Sequence, residues 1–191
     1  MIIMTELITF HPILLAMFQG FWFIIPAYAA NGIPPFARGK RPLDFGKSWK
    51  GKRIFGEGKT IEGTIAGFFG GLVWGYILML FQSYVQINQG VSINQDIGLV
   101  VMNWPLIVLI TIGALLGDII GSFAKRRLDL SRGAQFPFVD QLGFAVVAII
   151  IASPIYVVQI GSIVFIIVST AFVHMFGNYI AFKTKLKNVP W

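Results

Sequence analysis

Two isolated carboxylates and a dense row of cations are the side chains best suited to chemistry. Asp118 stands in an otherwise apolar run, and Asp140 follows Lys125, Arg126, Arg127 and Arg132. A carboxylate at the bilayer centre costs about 2.5–3.5 kcal/mol on insertion scales, so an intramembrane Asp suggests function by default. Helical spacing would put Asp118, Ser122, Lys125 and Arg126 on one face, with Lys125 about 10 Å along the axis from Asp118. Acids hold a hard cation and neighbouring cations hold phosphate oxygens, so the set suits Mg²⁺ with phosphates. Asp118 and Asp140 are therefore candidate metal ligands, and Lys125 and Arg126 candidate phosphate ligands. The plainer alternative is an ion pair from Asp118 to Lys125 or Arg126.

A second basic segment, 31–61, is rich in Gly and Pro, with Phe36, Phe45, Trp49 and Phe55 interleaved. Two readings stand side by side. The segment lies on anionic lipid, at about 1 kcal/mol per Lys or Arg, or it folds so that backbone N–H groups and cations grip phosphates. Arg38, Lys40 and Arg41 are weaker phosphate candidates than Lys59. Gly58-Lys59-Thr60 is not a nucleotide P-loop, because the first Gly position is Arg53 and an apolar helix rather than a strand-bounded unit surrounds it. A phosphate contact at Lys59 remains, since helix N-termini favour anions.

These residues need membrane helices to position them. Only 12% of the chain is charged, and mean hydropathy is +0.77. Five apolar stretches, approximately 7–30, 64–81, 99–122, 142–158 and 162–182, predict an all-α integral membrane protein forming one domain over 1–191. About 20 apolar residues are needed per crossing. The run 142–182 is long enough for two spans, with the break expected at Gln159-Ile-Gly-Ser162. The first stretch has no Lys or Arg before it and so lacks a signal-peptide n-region. All 15 Lys and Arg fall in loop 31–61, loop 123–141 or the C-terminal tail. With five crossings these share one side, which the positive-inside bias makes cytoplasmic, with the N-terminus outside. That placement speaks for a multi-pass cell-membrane protein and against nucleic acid as the partner of the +7 net charge. A homodimer is compatible with the pattern, although no residue argues for it. The absence of cysteine excludes disulfides, thiolate metal sites and a Cys nucleophile.

Gly63, Gly67, Gly71 and Gly75 form one fourfold stripe and Gly113, Gly117 and Gly121 another. Both read as faces of close helix approach, overlapping in the cytoplasmic half. His174 and Asn178, four apart, share a face of the last span. His174 reads more readily as a helix–helix hydrogen bond than as a catalyst. His11 is expected to be structural, and Ser153-Pro154 suggests a kink.

The stretch from Gly117 to Arg126, with 135–141, resembles the signature region of phosphatidate cytidylyltransferases. The S-x-x-K-R part matches Ser122, Lys125 and Arg126, and the later Asp matches Asp140. The bacterial His-Gly-Gly is lacking, Gln141 replaces a usual Arg, and Gly143 replaces a further Asp. These departures, with Asn31-Gly-Ile-Pro-Pro35, Lys40-Arg-Pro-Leu-Asp44 and Gly56-Glu-Gly-Lys-Thr-Ile-Glu-Gly63, resemble the archaeal CDP-archaeol synthase branch. The resemblance implies an Mg²⁺-dependent cytidylyltransferase moving CMP from CTP to an isoprenoid ether-lipid phosphate, 2,3-di-O-geranylgeranylglyceryl phosphate. It adds Asn31, Gly32, Thr60, Ser122 and Gln141 to the binding candidates. Two other classes compete. A transporter would want a midplane polar site, and a lipid-binding scaffold would not explain Asp118 with Asp140.

Overall fold

The computed structural model describes residues 12–130, 134, 136 and 138–184. His11, Arg132, Lys185, Lys187 and the first residues of the expected span 7–30 lie outside them. Among the described residues five helices follow in order: α1 Pro12–Gly32, α2 Ile61–Gln89, α3 Trp104–Arg127, α4 Val139–Ala152 and α5 Ile160–Lys183. A 3₁₀ turn, Pro34–Ala37, follows α1. A two-stranded antiparallel hairpin, β1 Ser48–Trp49 with β2 Lys52–Arg53, lies in the first loop. Four helices, α1, α2, α3 and α5, are long and apolar enough to cross a membrane; α4 is apolar but has only 14 residues.

The expected break at Gln159–Ser162 is corrected. α4 ends at Ala152, and α5 has begun by Ile160. Pro154 is the physical reason. It has no N–H to give, and its ring would clash with the carbonyl of Ile150. Ser153 Oγ instead donates to that carbonyl at 2.8 Å. Ser162 belongs to α5's packed face and donates to Gln19 Oε1 of α1 at 3.1 Å.

The third helix also starts later than 99. Asn103 caps it, its side chain accepting from Leu106 N–H at 3.0 Å. Leu99, Val100 and Met102 are buried without being helical. Their backbone polar groups therefore need partners, which side chains of α1 and α2 supply. Gln19 donates to the Gly98 carbonyl, Trp22 Nε1 to the Val100 carbonyl, and Gln82 both donates to and accepts from Met102.

The glycine stripes are packing faces, but they do not meet each other. A methyl at Gly67 would stand 2.5 Å from the Ala30 carbonyl of α1, and one at Gly75 2.3 Å from Ile107 of α3. The α3 stripe meets α4 instead. A Cβ at Gly113 would lie 2.6 Å from Ala148 Cα, and one at Gly117 2.5 Å from the Gly143 carbonyl. α3 and α4 thus run antiparallel with backbones in direct contact, which sets the C-terminal turn of α3 beside the N-terminus of α4.

Gly117→Leu should therefore lower the thermal stability of the detergent-solubilised protein by several degrees, since overpacking costs about 1–3 kcal/mol or more. Gly177→Ala, at a helix position with open space beside it, should leave the melting temperature unchanged or slightly raised.

Candidate active site

A cavity of about 640 Å³ opens where α1, the first loop, α3, α4 and α5 converge. Its charged lining comprises two Lys–Asp pairs together with Arg38 and Glu57. Lys59 Nζ lies 2.5 Å from Asp118 Oδ2, and Lys125 Nζ lies 2.6 Å from Asp140 Oδ2. The expected alternative pairing of Asp118 with Lys125 or Arg126 is thus replaced by a contact spanning 59 residues of chain. All four side chains retain partial exposure, between 18% and 30%, so solvent screens both pairs and neither ranks as a large source of stability.

Each charged group is placed by local structure. Thr60 caps α2, its hydroxyl accepting from Gly63 N–H at 3.1 Å, so Lys59 stands at the helix entrance. α3 continues to Arg127, which keeps Asp118, Ser122 and Lys125 on one face toward the cavity. Asp140 lies in the first turn of α4, where it also accepts from Phe136 N–H at 3.1 Å.

Among the other candidates, Asn31, Arg38, Thr60 and Gln141 line the cavity. Gly32, Lys40, Arg41 and Arg126 do not. Arg41 is held by Glu62, Nε to Oε1 at 2.8 Å. Arg126 lies against the backbone of Gly56, its Cδ and Nε 3.6 Å from where a Cβ would stand. His174 and Asn178 line the cavity from α5 and hydrogen-bond to each other at 3.0 Å.

Two residues that organise the site were not singled out as candidates. Asp44 is buried in the first loop. It accepts from Arg53 through both carboxylate oxygens and from the N–H groups of Gly46, Phe55 and Gly56. Burial pushes its carboxyl upward, but Arg53 and these three N–H groups outweigh that and hold it well below the usual carboxylate range. Arg127 ties the hairpin to the end of α3. Its guanidinium donates to the carbonyls of Trp49, Lys52 and Arg53 and stacks over the Trp49 and Phe123 rings. The sequence signal for Asp44 was present: an Asp among Gly46, Gly51 and Gly56 with an Arg nine positions on. Gly51 (φ +76°) and Gly56 (φ +87°) take backbone angles that other residues resist. The first loop is therefore folded, as the phosphate-gripping reading required.

The two carboxylates are hard oxygen donors on adjacent helices. With substrate phosphate and water they make the kind of set Mg²⁺ takes. No group of three or more acidic, His or Cys side chains able to hold a metal occurs among the described residues, so any cation here would draw further ligands from substrate and solvent.

Residues 13–191 match the family model for CarS-like CDP-archaeol synthases. The chain belongs to the CDP-archaeol synthase family. It is 40% identical over 176 residues to the CDP-archaeol synthase of Pyrococcus abyssi, covering 92% of this chain and 98% of that one. It is 38% identical over 183 residues to that of Methanococcus maripaludis, covering 94% and 99%. A solved intramembrane enzyme for archaeal membrane lipid biosynthesis superposes with a TM-score of 0.71 at 31% identity, over 85% of this chain and 94% of that one. The protein is thus a multi-pass membrane enzyme, a CTP-dependent cytidylyltransferase of the CDP-archaeol synthase type, and neither the transporter nor the scaffold reading is favoured.

Asp44→Asn should loosen the first loop, because breaking a buried hydrogen-bonded charge pair costs about 3–5 kcal/mol. The depressed carboxyl fixes the sign with pH. Its contribution is fully present above about pH 4, the usual carboxylate range, and declines as pH falls toward the lower folded value. The difference in melting temperature between the native protein and Asp44→Asn should shrink as the pH is lowered below about 4.

Proposed function

We propose that this cavity is where CTP and 2,3-di-O-geranylgeranylglyceryl phosphate meet, and that it faces the cytoplasm. The observation carrying this is the convergence of Lys59–Asp118 and Lys125–Asp140 on one cavity beside the N-terminus of α2. An oxygen of the lipid phosphate attacks the α-phosphorus of CTP. The α–β anhydride bond breaks, and pyrophosphate leaves. The attacking phosphate is already ionised at neutral pH, so positioning and charge neutralisation carry the reaction without a strong general base.

Lys59 and Lys125 swing their ammonium groups from carboxylate to phosphate oxygens. Arg38 adds a cation at the rim, while Asn31, Thr60, Ser122 and Gln141 add neutral donors and acceptors. Lys40 and Arg41 act at longer range, through the positive potential that draws an anionic nucleotide in. Gly32 ends α1 beside Asn31, and Arg126 buttresses the Gly56 turn. Asp118 and Asp140 would hold Mg²⁺, which when bound supplies positive charge against the phosphate oxygens.

The charge distribution further supports five crossings, N-terminus outside and C-terminus inside. α4 spans only about 21 Å as a helix, and the non-helical segment that follows it completes the passage.

Asp118→Asn and Asp140→Asn should each cut CMP transfer from labelled CTP by about 10²-fold or more while the protein stays folded. Retained turnover with normal Mg²⁺ dependence in either variant would reduce that residue to a structural ion pair.

Cysteines placed at Asn94 and Lys183 should label from opposite faces of sealed vesicles. Labelling from the same face would exclude five crossings.

A further inference from the structure

α5 carries a single inward face with a period of four: Ser162, Ile166, Thr170, His174 and Asn178. The first three are buried to within 1% of full exclusion. Two of these are polar and bonded to α1, Ser162 to Gln19 and Thr170 to Tyr28. The same face then reaches the cavity, where His174 and Asn178 are only half-buried and line its wall. On the other faces of this turn, Phe172, Met175 and Phe176 are exposed apolar side chains. In a membrane enzyme these meet lipid. His174 and Asn178 therefore stand where the bilayer and the polar cavity adjoin, on a helix that packs against α1 and α4 rather than against α3 or the hairpin.

Asn178 Nδ2 lies 3.0 Å from His174 Nδ1, a contact that orients the ring. In the tautomer in which Nδ1 accepts from the amide, the imidazole is a neutral ring with its N–H on Nε2. A neutral donor is a weak ligand for a triphosphate, which needs the cations across the cavity. It suits the single phosphate and glycerol oxygens of a lipid headgroup entering from the side.

We propose that His174, oriented by Asn178, holds the phosphoglycerol headgroup of the lipid acceptor and takes no part in CTP binding. His174 is thus a substrate-binding residue and Asn178 a positioning residue. The proposal rests on the cavity being the reaction site.

The test is steady-state kinetics of the purified enzyme, varying the lipid phosphate at saturating CTP and then CTP at saturating lipid. A hydrogen bond to a charged group removed by His174→Phe should raise the lipid KM by about tenfold or more, with the CTP KM within about twofold of native. His174→Gln, whose amide nitrogen can stand near the position of Nε2, should recover most of the loss. Asn178→Leu should raise the lipid KM in the same direction but less. A CTP-induced thermal shift should persist in all three variants, which also shows that they are folded. An unchanged lipid KM in both His174→Phe and Asn178→Leu, or a CTP KM that rises as much as the lipid KM, overturns the proposal. Lys59→Met distinguishes the two levels of failure. If it abolishes turnover while the His174 variants behave as native, only the role of His174 falls. If it too keeps full turnover, the reading of the cavity falls and this inference with it.

Discussion

The closeness with which α3 and α4 approach is the constraint on which the rest depends. Gly117 brings two backbones to a separation that no side chain at its position would permit, its Cβ direction meeting the Gly143 carbonyl and Phe144 Cα. The end of α3 and the start of α4 consequently lie side by side. Asp118 and Lys125 from one helix then share a cavity with Asp140 from the other. Gly143 stands where the bacterial cytidylyltransferase pattern carries a further acid.

The first loop is the second component, and its stability has a different origin. It has no apolar core of its own. Asp44 takes its place, gathering the Arg53 guanidinium and three backbone N–H groups around one buried carboxylate. Arg127 then fastens the resulting hairpin to α3 through three carbonyls. The loop is shaped by polar bonds and the bundle by backbone contact, and Lys59 lies at the joint between them.

Much of this was legible in the residues. Apolar run lengths located the helices, and glycine periodicity identified the faces that pack. The isolated acids marked the cavity, because a membrane carboxylate without a role is costly. What the sequence hid was partner choice. Fourfold glycine spacing says that a backbone approaches, not which one, and the two stripes, which share the cytoplasmic half, face different helices. The same holds for Asp118, whose nearest cations along its own helix are Lys125 and Arg126 but whose partner is Lys59. Leu99–Met102 read as helix because its residues are apolar. Its non-helical form depends on Gln19, Trp22 and Gln82, distant side chains that no local pattern reveals. Pro154 did carry the signal for the break between α4 and α5, and its clash with the preceding turn outweighed the apolar continuity around it.

The two lysine–carboxylate contacts differ in what they join. Lys125–Asp140 links helices that glycine contact already holds together. Lys59–Asp118 links a polar loop to the bundle, and its side chains keep 26% and 30% of their exposure. Dissolved ions therefore reach it, and at physiological ionic strength the screening length is about 8 Å. Concentrated salt would loosen the loop side of the cavity before the helix side. In an organism with a saline cytoplasm, a chain built on this plan would come under pressure to replace that one contact with a salt-insensitive one, while leaving the α3–α4 seam as it is.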